Sequence, residues 1–323
     1  MASGRAAGVG GVLVVGLLAA GGYAAVRTGF GPFSDPQACT ATAGGHTVTL
    51  SIDQARNASI IAAVAVRRGL PARAVSIALA TAYQESKLEN LDGGDRDSRG
   101  LFQQRPSQGW GTPAQVTDPY YAANAFYDAL EQVEGYRTLP ITEAAQQVQR
   151  SAYPDAYRDH EADGRAVASA LTGYSESAFS CVVDSADADP QPLGADGLTR
   201  RADAVRRDLR TAFGELPLGG FAPGGVRTGH VEGSAHYEGR AIDVFFRPVN
   251  PDNRRRGWVV AHYLVANAER LRIDHVIFDA SIWTAGDRSA EGWREFTPRL
   301  TGDEDAATLS TLEHRDHVHV DVV

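Results

Sequence analysis

The sequence predicts an α+β protein in two parts, a mainly-α region followed by a small α+β region, behind an apolar N-terminal segment. Three observations lead to this prediction. The chain has 323 residues, which suits two ordinary domains better than one. Signals for helix starts and ends fill residues 47–183, and alternating apolar and polar residues become clear only after residue 197. Hydrophobic residues make up 43% and charged residues 22% of the chain, as in globular domains.

The N-terminal segment is long enough to anchor the chain in a membrane. Val9 to Val26 contains no charged side chain, and Arg5 and Arg27 flank it. This length just suffices for a transmembrane helix; a cleaved signal peptide usually has a shorter apolar region and is the less favoured alternative. We therefore expect a cytoplasmic tail at 1–8, an anchor or signal at 9–26 and a Gly- and Pro-rich stalk at 27–46. The bulk of this single-pass cell-membrane protein would be extracellular, or secreted if the segment is cleaved.

Two cysteines, Cys39 and Cys181, bracket the region of predicted helices. In an oxidising compartment an even pair of cysteines predicts a disulfide, and two unrelated buried thiols are the alternative. Such a bond would close a long loop and contribute about 4–5 kcal/mol in the chain-entropy model.

The net charge of −9 argues against a nucleic-acid partner. Binding to nucleic acid draws most of its affinity from cations placed against phosphates, and an acidic chain gains nothing from them.

Boundary signals place the elements of both regions. Ser51 and Gln54 form a capping box ahead of a helix, and Asp118 opens another helix. Residues 184–197 have almost no apolar bulk and predict a linker. In the second region, residues 198–323, we expect helices after Thr199 and near Trp258–Leu271, with strands at Ala241–Phe246, His275–Phe278 and His317–Val323.

A candidate catalytic acid ends the predicted helix Ala74–Leu88. Residues one helical turn apart share a face, and the face of Glu85 holds Thr81, Ala82, Ala78 and Ile77. A carboxyl group at the end of an apolar stripe is partly desolvated, which favours its protonated form, as a general acid in glycoside cleavage requires. A surface glutamate at a helix end is the alternative interpretation.

Three segments resemble the lysozyme-like superfamily of lytic transglycosylases: Gln84–Leu88, Ser98–Pro106 and Tyr153–Tyr157. That family carries Glu-Ser at a helix end, a Gly-Leu-Phe-Gln type of loop and an aromatic wall along the sugar groove. The resemblance covers about residues 47–181 and implies a lysozyme-like domain that cleaves peptidoglycan glycan strands. It implies that Glu85 is the catalytic acid and that the substrate-binding residues are Ser86, Gln103, Tyr153 and Tyr157, although either tyrosine could instead be a core aromatic.

The outcome of glycan cleavage stays open between a lytic transglycosylase and a muramidase. A hydrolase normally needs a second carboxylate. Asp92, Asp95 and Asp97 lie in the loop between the motifs, where aspartates usually form turns.

A metal site is predicted in the second region, which holds seven of the nine histidines. On a strand over His317–Val323, alternate residues share a face, so His317, His319 and Asp321 point together. Asp243 likewise points away from Ile242 and Val244. Two imidazoles and one carboxylate leave the fourth tetrahedral position open, which is the arrangement of a catalytic zinc site. Buried or surface histidines without metal are the alternative.

The second region resembles the D-alanyl-D-alanine carboxypeptidase and Hedgehog-like zinc peptidase fold through Ser-x-His-x6-Asp at 234–243 and the later His319. The resemblance covers about residues 198–323 and implies zinc bound by His236, Asp243 and His319. It implies that His317 assists catalysis. Arg227 would lie near the substrate, where it could bind a carboxylate or form a structural ion pair.

One departure from the peptidase pattern concerns the general base. These peptidases have a glutamate three residues before the last ligand, where this chain has Asp316, whereas Glu313 has the spacing of Hedgehog. An aspartate reaches less far, so either Asp316 or His317 is the candidate base. His314 is expected in an outer shell, and His230, His262 and His275 have no motif support.

The leading prediction is a peptidoglycan-remodelling enzyme whose zinc domain acts on or binds peptide stems. The alternative is a cell-wall-binding or regulatory protein with a catalytically inactive zinc domain. A Hedgehog-type signalling domain does not fit the companion lysozyme-like region.

Overall fold

The computed structural model describes residues 37–150 and 155–323, and within these ranges the fold is α+β, as predicted. Residues 37–323 form one compact unit. The predicted anchor at 9–26 and Tyr153 lie outside the described residues. In the part of the chain that is described, every helix is too short or too polar to cross a membrane.

The first half combines helices with a small antiparallel sheet of order β2-β1-β3. Its elements in chain order are β1 (Ala38–Ala43), β2 (His46–Leu50), α1 (Ile52–Arg67), α2 (Ala72–Ser86), α3 (Pro113–Val116), α4 (Pro119–Glu131), α5 (Ile141–Gln149), α6 (Glu161–Leu171) and β3 (Phe179–Val182). Short 3₁₀ helices lie at Pro106–Gln108 and Arg158–His160.

The three strands of this sheet differ from the sequence prediction. Residues 38–46, assigned to a stalk, form β1 and begin β2, and β3 lies where no strand was expected. The buried positions of β1 are Cys39 and Ala41, which give no strong alternation of large apolar side chains. Cys39 pairs in register with Cys181 of β3, and the predicted disulfide between them is confirmed.

Helix α2 is the centre of the first core. From Ala74 to Ala82 its side chains are buried all round, as expected for a helix without a polar face. Helix α6 packs closely on α2 because Gly164 has no side chain, and a Cβ there would lie 2.8 Å from the carbonyl oxygen of Ser76. The predicted capping box of Ser51 and the helix start at Asp118 are both confirmed.

The second half is built on an antiparallel sheet of order β4-β5-β9-β6-β7-β8. Its elements are α7 (Arg200–Phe213), β4 (Leu218–Gly219), β5 (Ala241–Phe245), α8 (Pro251–Ala266), α9 (Ala268–Leu271), β6 (Ile273–Phe278), β7 (Ser281–Thr284), β8 (Arg294–Glu295), α10 (Ala306–Leu312) and β9 (His317–Val322). The three predicted strands and both predicted helices are present, whereas the short strands β4, β7 and β8 were missed. Residues 184–194 of the predicted linker have no regular secondary structure.

The two halves share a buried boundary. On α8, the ring of His262 donates from Nδ1 to the carbonyl oxygen of Ala170 at 2.8 Å. Two indoles of the second half bind strand β3, because Trp283 donates to the Cys181 carbonyl and Trp293 to the Phe179 carbonyl. Backbone carbonyls of one half therefore receive their hydrogen bonds from side chains of the other, which couples the two halves.

Candidate functional site

Glu85 lies in the last turn of α2, half-buried, at the position that the sequence indicates. Tyr157 is fully buried and donates from its hydroxyl to Oε1 of Glu85 at 2.7 Å. Tyr157 was predicted to bind glycan, but its ring is enclosed in the core. In the structure it instead orients the candidate acid.

Ser86 connects the helix to the glycine-containing loop that follows. Its buried hydroxyl lies 3.0 Å from the carbonyl oxygen of Ala82 and 2.7 Å from that of Leu101. Lys87 then ends the helix in the left-handed conformation, with φ of 57°. Ser86 was predicted to bind substrate, and the structure places its hydroxyl inside the protein, where it holds the loop beside Glu85.

Gln103 folds over the loop that precedes it. Its Nε2 donates to the carbonyl oxygen of Gly100 at 3.1 Å, and the side chain remains partly exposed. A Cβ on Gly94 would lie 1.8 Å from Oε1 of Gln103, so glycine at that position makes room for the amide. The carboxamide therefore lies against the loop that carries the three candidate aspartates.

The candidate second carboxylates do not contact Glu85. Asp97 accepts from Nε of Arg105 at 2.8 Å and from the backbone N–H of Ser107 at 2.7 Å. These two donors hold the pKa of Asp97 well below its ordinary value, the backbone N–H first. Asp92 and Asp95 are exposed, and within the described ranges no hydrogen bond or ion pair joins any of the three to Glu85. Asp97 fastens its loop, as turn-forming aspartates do.

A cleft of about 780 Å³ lies between the segment that follows this loop and the ends of α4 and α5. Gln149, at the end of α5, lines the cleft and donates from Nε2 to the carbonyl oxygen of Phe102 at 2.8 Å. Trp110 and Arg150 line it too, as do the amides of Gln108, Gln132 and Gln147. Its size is within the range of ligand sites, and an indole among amide donors and acceptors suits a polyhydroxylated ligand. Glu85 is not among its lining residues.

In the second half, three side-chain atoms converge on one point. His236 Nε2 and His319 Nδ1 are 3.1 Å apart, and Oδ1 of Asp243 lies 3.2 Å from the first and 3.1 Å from the second. Ligands at about 2.0–2.1 Å from a tetrahedral zinc ion are themselves roughly 3.3 Å apart. The donor atoms therefore fit a metal ion of this size, with the ligand set that the resemblance implies.

The sheet and a neighbouring turn create this convergence. Asp243 on β5 and His319 on β9 are direct partners in register, so their side chains leave the same face side by side. His236 comes from the 3₁₀ helix Ala235–Glu238, which begins at the capping side chain of Ser234. All three proposed ligands are buried.

A hydrogen bond on the outer side of the His236 ring fixes which nitrogen faces the site. Its Nδ1 lies 2.7 Å from the carbonyl oxygen of Gly220. Because a carbonyl only accepts, Nδ1 carries a proton, and a metal ion would bind this ring through Nε2. Gly220 has φ of +80°, and a Cβ there would lie 2.3 Å from Cε1 of His236. A glycine is therefore required where the backbone approaches this ring.

The charges of Asp243 and His319 support one another. Burial opposes the charge of Asp243, but the imidazoles of His236 and His319 hold its pKa far below the ordinary value. Burial also disfavours an imidazolium at His319, yet the carboxylates of Asp243 and Asp321 raise the pKa of His319 to about 9. A metal ion bound at this point would take the place of the Nδ1 proton.

His317 and Asp316 form a dyad beside the proposed ligands. His317 Nδ1 is 2.7 Å from Oδ1 of Asp316, while its Nε2 lies 3.7 Å from Oδ1 of Asp243. Arg247 donates from Nε to the other oxygen, Oδ2, of Asp316 at 2.7 Å. Burial opposes the charge of Asp316, but hydrogen bonds from His317 and Arg247 lower its pKa to about 2. Asp316 is therefore an ionised acceptor that keeps the proton on Nδ1 and leaves Nε2 of His317 free to accept one.

Two further candidates, Arg227 and His314, differ in their contacts with the site and in their exposure. Arg227 is exposed in the glycine-rich loop and makes no hydrogen bond or ion pair with the described residues. His314 is half-buried with its ring 4.7 Å from that of His317, and desolvation and then the charges of His319 and His317 lower its pKa to about 3. This position agrees with an outer-shell residue.

The sequence patterns did not identify two residues that contact the site, His230 beside His236 and Arg247 beside Asp316. The ring of His230 stacks on that of His236 at 3.9 Å between centroids. The ligand atoms of His230, His236 and Asp243 also lie close enough together to share one metal ion, so His230 is a further candidate ligand beside His319. Arg247 could have been found by alternation, because Asp243, Phe245 and Arg247 follow one another at every second residue.

The comparison with known families concerns the second half. Residues 194–307 match the family model described as the C-terminal domain of VldE. This range is just over a third of the chain; it contains His236 and Asp243 and ends before β9, which carries His317 and His319. No curated protein matches the chain. The second half is thus similar to that domain over the part that includes two of the three proposed ligands.

Proposed function

We propose that this chain is an extracytoplasmic peptidoglycan-remodelling enzyme that cleaves glycan strands through Glu85 and acts on, or binds, peptide stems through a zinc centre. The observation that carries the proposal is the convergence of His236, Asp243 and His319 at 3.1–3.2 Å. Zinc is the proposed metal because two imidazoles and one carboxylate with an open fourth position form a catalytic zinc site. The Cys39–Cys181 disulfide supports a location outside the cytoplasm, and attachment to the cell membrane through residues 9–26 is part of the proposal.

The glycan-cleaving part rests on the surroundings of Glu85. One oxygen of its carboxyl group is occupied by the Tyr157 hydroxyl, so the other is left to give a proton to a leaving sugar oxygen. Ser86 holds the following loop at a fixed distance from this helix end. The amide-lined cleft, which Glu85 does not line, would hold a part of the glycan away from the scissile bond. The contacts of Glu85 are compatible with both outcomes, because the second carboxylate of a hydrolase stands about 5–9.5 Å from the acid without touching it, whereas a lytic transglycosylase needs only one carboxyl group.

In the second half, each residue has a role that its contacts support. A zinc ion bound there would act as a Lewis acid and activate water. His236, Asp243 and His319 would hold the ion. His317 would accept a proton at Nε2, because Asp316 engages its Nδ1. Arg247 would keep Asp316 ionised and in place.

One observation favours the alternative of a wall-binding or regulatory protein with an inactive zinc domain. Asp316 stands where the related peptidases have their general base, and both of its oxygens are already bound, one by His317 and the other by Arg247. If His317 cannot replace that base, the centre would bind stems without cutting them.

Mass spectrometry of the soluble products from purified peptidoglycan tests the proposal, using the full-length chain with zinc. We expect released glycan fragments: anhydro ends would identify a lytic transglycosylase, and reducing ends would identify a muramidase. Shortened stems would establish peptidase activity. Glu85→Gln should abolish glycan release and leave zinc binding intact, whereas His236→Ala with His319→Ala should do the reverse. Uncut polymer with bound zinc would support the binding protein, and glycan release by Glu85→Gln would refute the role of Glu85.

A further inference from the structure

A second layer of polar side chains lies behind the proposed zinc ligands. On the sheet, Asp321 of β9 is the direct partner of His275 of β6. Asp321 lies two residues after His319 on β9. Oδ1 of Asp321 accepts from the backbone N–H of His275 at 2.9 Å and from its ring Nδ1 at 3.0 Å. The other oxygen, Oδ2, lies 3.5 Å from Nε2 of His319.

We propose that Asp321, held by His275, is a positioning residue that orients His319 and sets the affinity of the centre for its metal. This inference rests on the zinc centre of the proposed function. His319 presents Nδ1 to His236 and Asp243, so its Nε2 points outward to Asp321. With a metal on Nδ1, the ring's only proton is on Nε2, and a carboxylate facing that proton fixes the ring orientation and makes Nδ1 a stronger donor to the metal.

The two carboxylate oxygens of Asp321 contact different residues. Oδ1 receives two N–H groups from His275, one of them backbone, which anchors the carboxylate to β6. Oδ2 remains for His319. The 3.5 Å separation is long for a hydrogen bond, and the proton left on Nε2 by metal binding would draw the two atoms together. Only 13% of the Asp321 side chain is exposed, so water competes little for this oxygen.

The same residues do not make a good second metal site. Asp274, His275 and Asp321 offer ligand atoms close to one another, with Oδ2 of Asp274 3.3 Å from Nδ1 of His275. However, these side chains already satisfy one another without an ion, because Nδ1 of His275 lies between two carboxylate oxygens and Oδ1 of Asp321 also accepts from the His275 backbone N–H. The cluster therefore serves the first metal by orienting its ligand.

The test compares three variants of the full-length protein, none of which needs a substrate. Zinc affinity is measured by competition with a chelator, and the bound ion is counted by elemental analysis. Asp321→Asn should weaken zinc binding by roughly 10- to 100-fold, the usual effect of losing such an outer partner. His275→Gln should weaken it less, because Asp321 keeps its backbone donor. Asp274→Asn is the matched control and should change affinity by less than about threefold, since no hydrogen bond or ion pair joins Asp274 to His319 among the described residues.

Cobalt substitution distinguishes positioning from a general loss of structure. Asp321→Asn should shift the ligand-field absorption of bound Co²⁺ while the thermal midpoint of the metal-free protein changes little. If that variant does not fold, the affinity and spectrum of His275→Gln decide the question. Unchanged zinc affinity and cobalt spectrum in a folded variant would overturn the inference and leave the zinc centre standing. Two ions per chain, the second lost in Asp274→Asn, would overturn it in favour of a second metal site. A wild-type protein without metal would overturn the proposed centre and this inference with it.

Discussion

Tyr157 donates a 2.7 Å hydrogen bond to Oε1 of Glu85, across 72 residues of chain. The tyrosine ring is fully buried, so the core fixes the position of its hydroxyl. The carboxyl group of Glu85 thereby has one oxygen held and one available for chemistry. A variant without this hydroxyl keeps the Glu85 carboxyl group but no longer holds its orientation, so the two contributions can be measured separately.

We expect Tyr157→Phe to lower the rate of glycan release by about 10- to 100-fold, because a small misplacement of a catalytic group has effects of that size. Stability should fall by only about 1 kcal/mol, the net value of one hydrogen bond. Product release and thermal unfolding measure the two effects. Tyr83→Phe is the control. Tyr83 lies on the same helix as Glu85, and its hydroxyl makes no hydrogen bond to the described residues. Equal rates in the two variants would show that Tyr157 does not position the acid.

Two serines of α2 form a matched pair for the loop that follows the helix. Ser76 and Ser86 are both 6% exposed, and each hydroxyl reaches the carbonyl four residues earlier. Only Ser86 also donates to Leu101. Ser86→Ala leaves the buried Leu101 carbonyl without that donor and should cost about 1–3 kcal/mol in urea unfolding. Ser76→Ala should cost clearly less. A similar loss in both would mean that the contact with Leu101 does not hold the loop.

Two glycines test the approach of the backbone to the proposed metal ligands. Gly220 and Gly224 both have φ of +80°, so alanine introduces similar backbone strain at each. At Gly220 the new Cβ would lie 2.3 Å from the His236 ring and 2.9 Å from Oδ2 of Asp243, whereas at Gly224 it meets nothing within 4 Å. Gly220→Ala should therefore weaken zinc binding at least tenfold, by chelator competition, and Gly224→Ala should not. Equal zinc affinities would contradict the proposed geometry of the site.

His262 gives the boundary between the halves a defined pH dependence. Burial lowers its pKa from 6.5 to about 4, although the Ala170 carbonyl favours the charged ring. Between these two pH values, His262 is therefore protonated in the unfolded chain and neutral in the folded chain. The resulting stability is fully present above pH 6.5 and is lost as pH falls toward 4, by about 3 kcal/mol over that window.

We expect His262→Gln to lose about 2–3 kcal/mol less stability than the wild type on acidification, while His314, whose pKa is also lowered, contributes equally in both proteins. The measurement is the free energy of unfolding at pH 7 and pH 4.5 for both proteins. The control is His46→Gln, at a histidine whose side chain is 46% exposed, which should keep the wild-type difference. If His262→Gln loses as much stability on acidification as the wild type, the buried ring is not the source of the effect.

Local patterns of the sequence were sufficient to predict several elements and the strands that carry two of the proposed metal ligands. The capping box of Ser51 and the alternation around Asp243 and His319 depend on residues a few positions apart, and short-range geometry decides them. The cysteine pair needed only the even count and an oxidising compartment. The same alternation also placed His319 and Asp243 on the faces where they meet.

The contacts from which we infer the roles of individual residues were visible only in the tertiary structure. It buried Tyr157 against Glu85, brought the Gly220 carbonyl to His236, and joined Asp321 to His275 across two strands. Strand β1 depended equally on its partners, since its buried side chains are only cysteine and alanine. Each of these contacts joins segments that are distant along the chain. Their register is set by packing and sheet pairing, and no local pattern of residues encodes it.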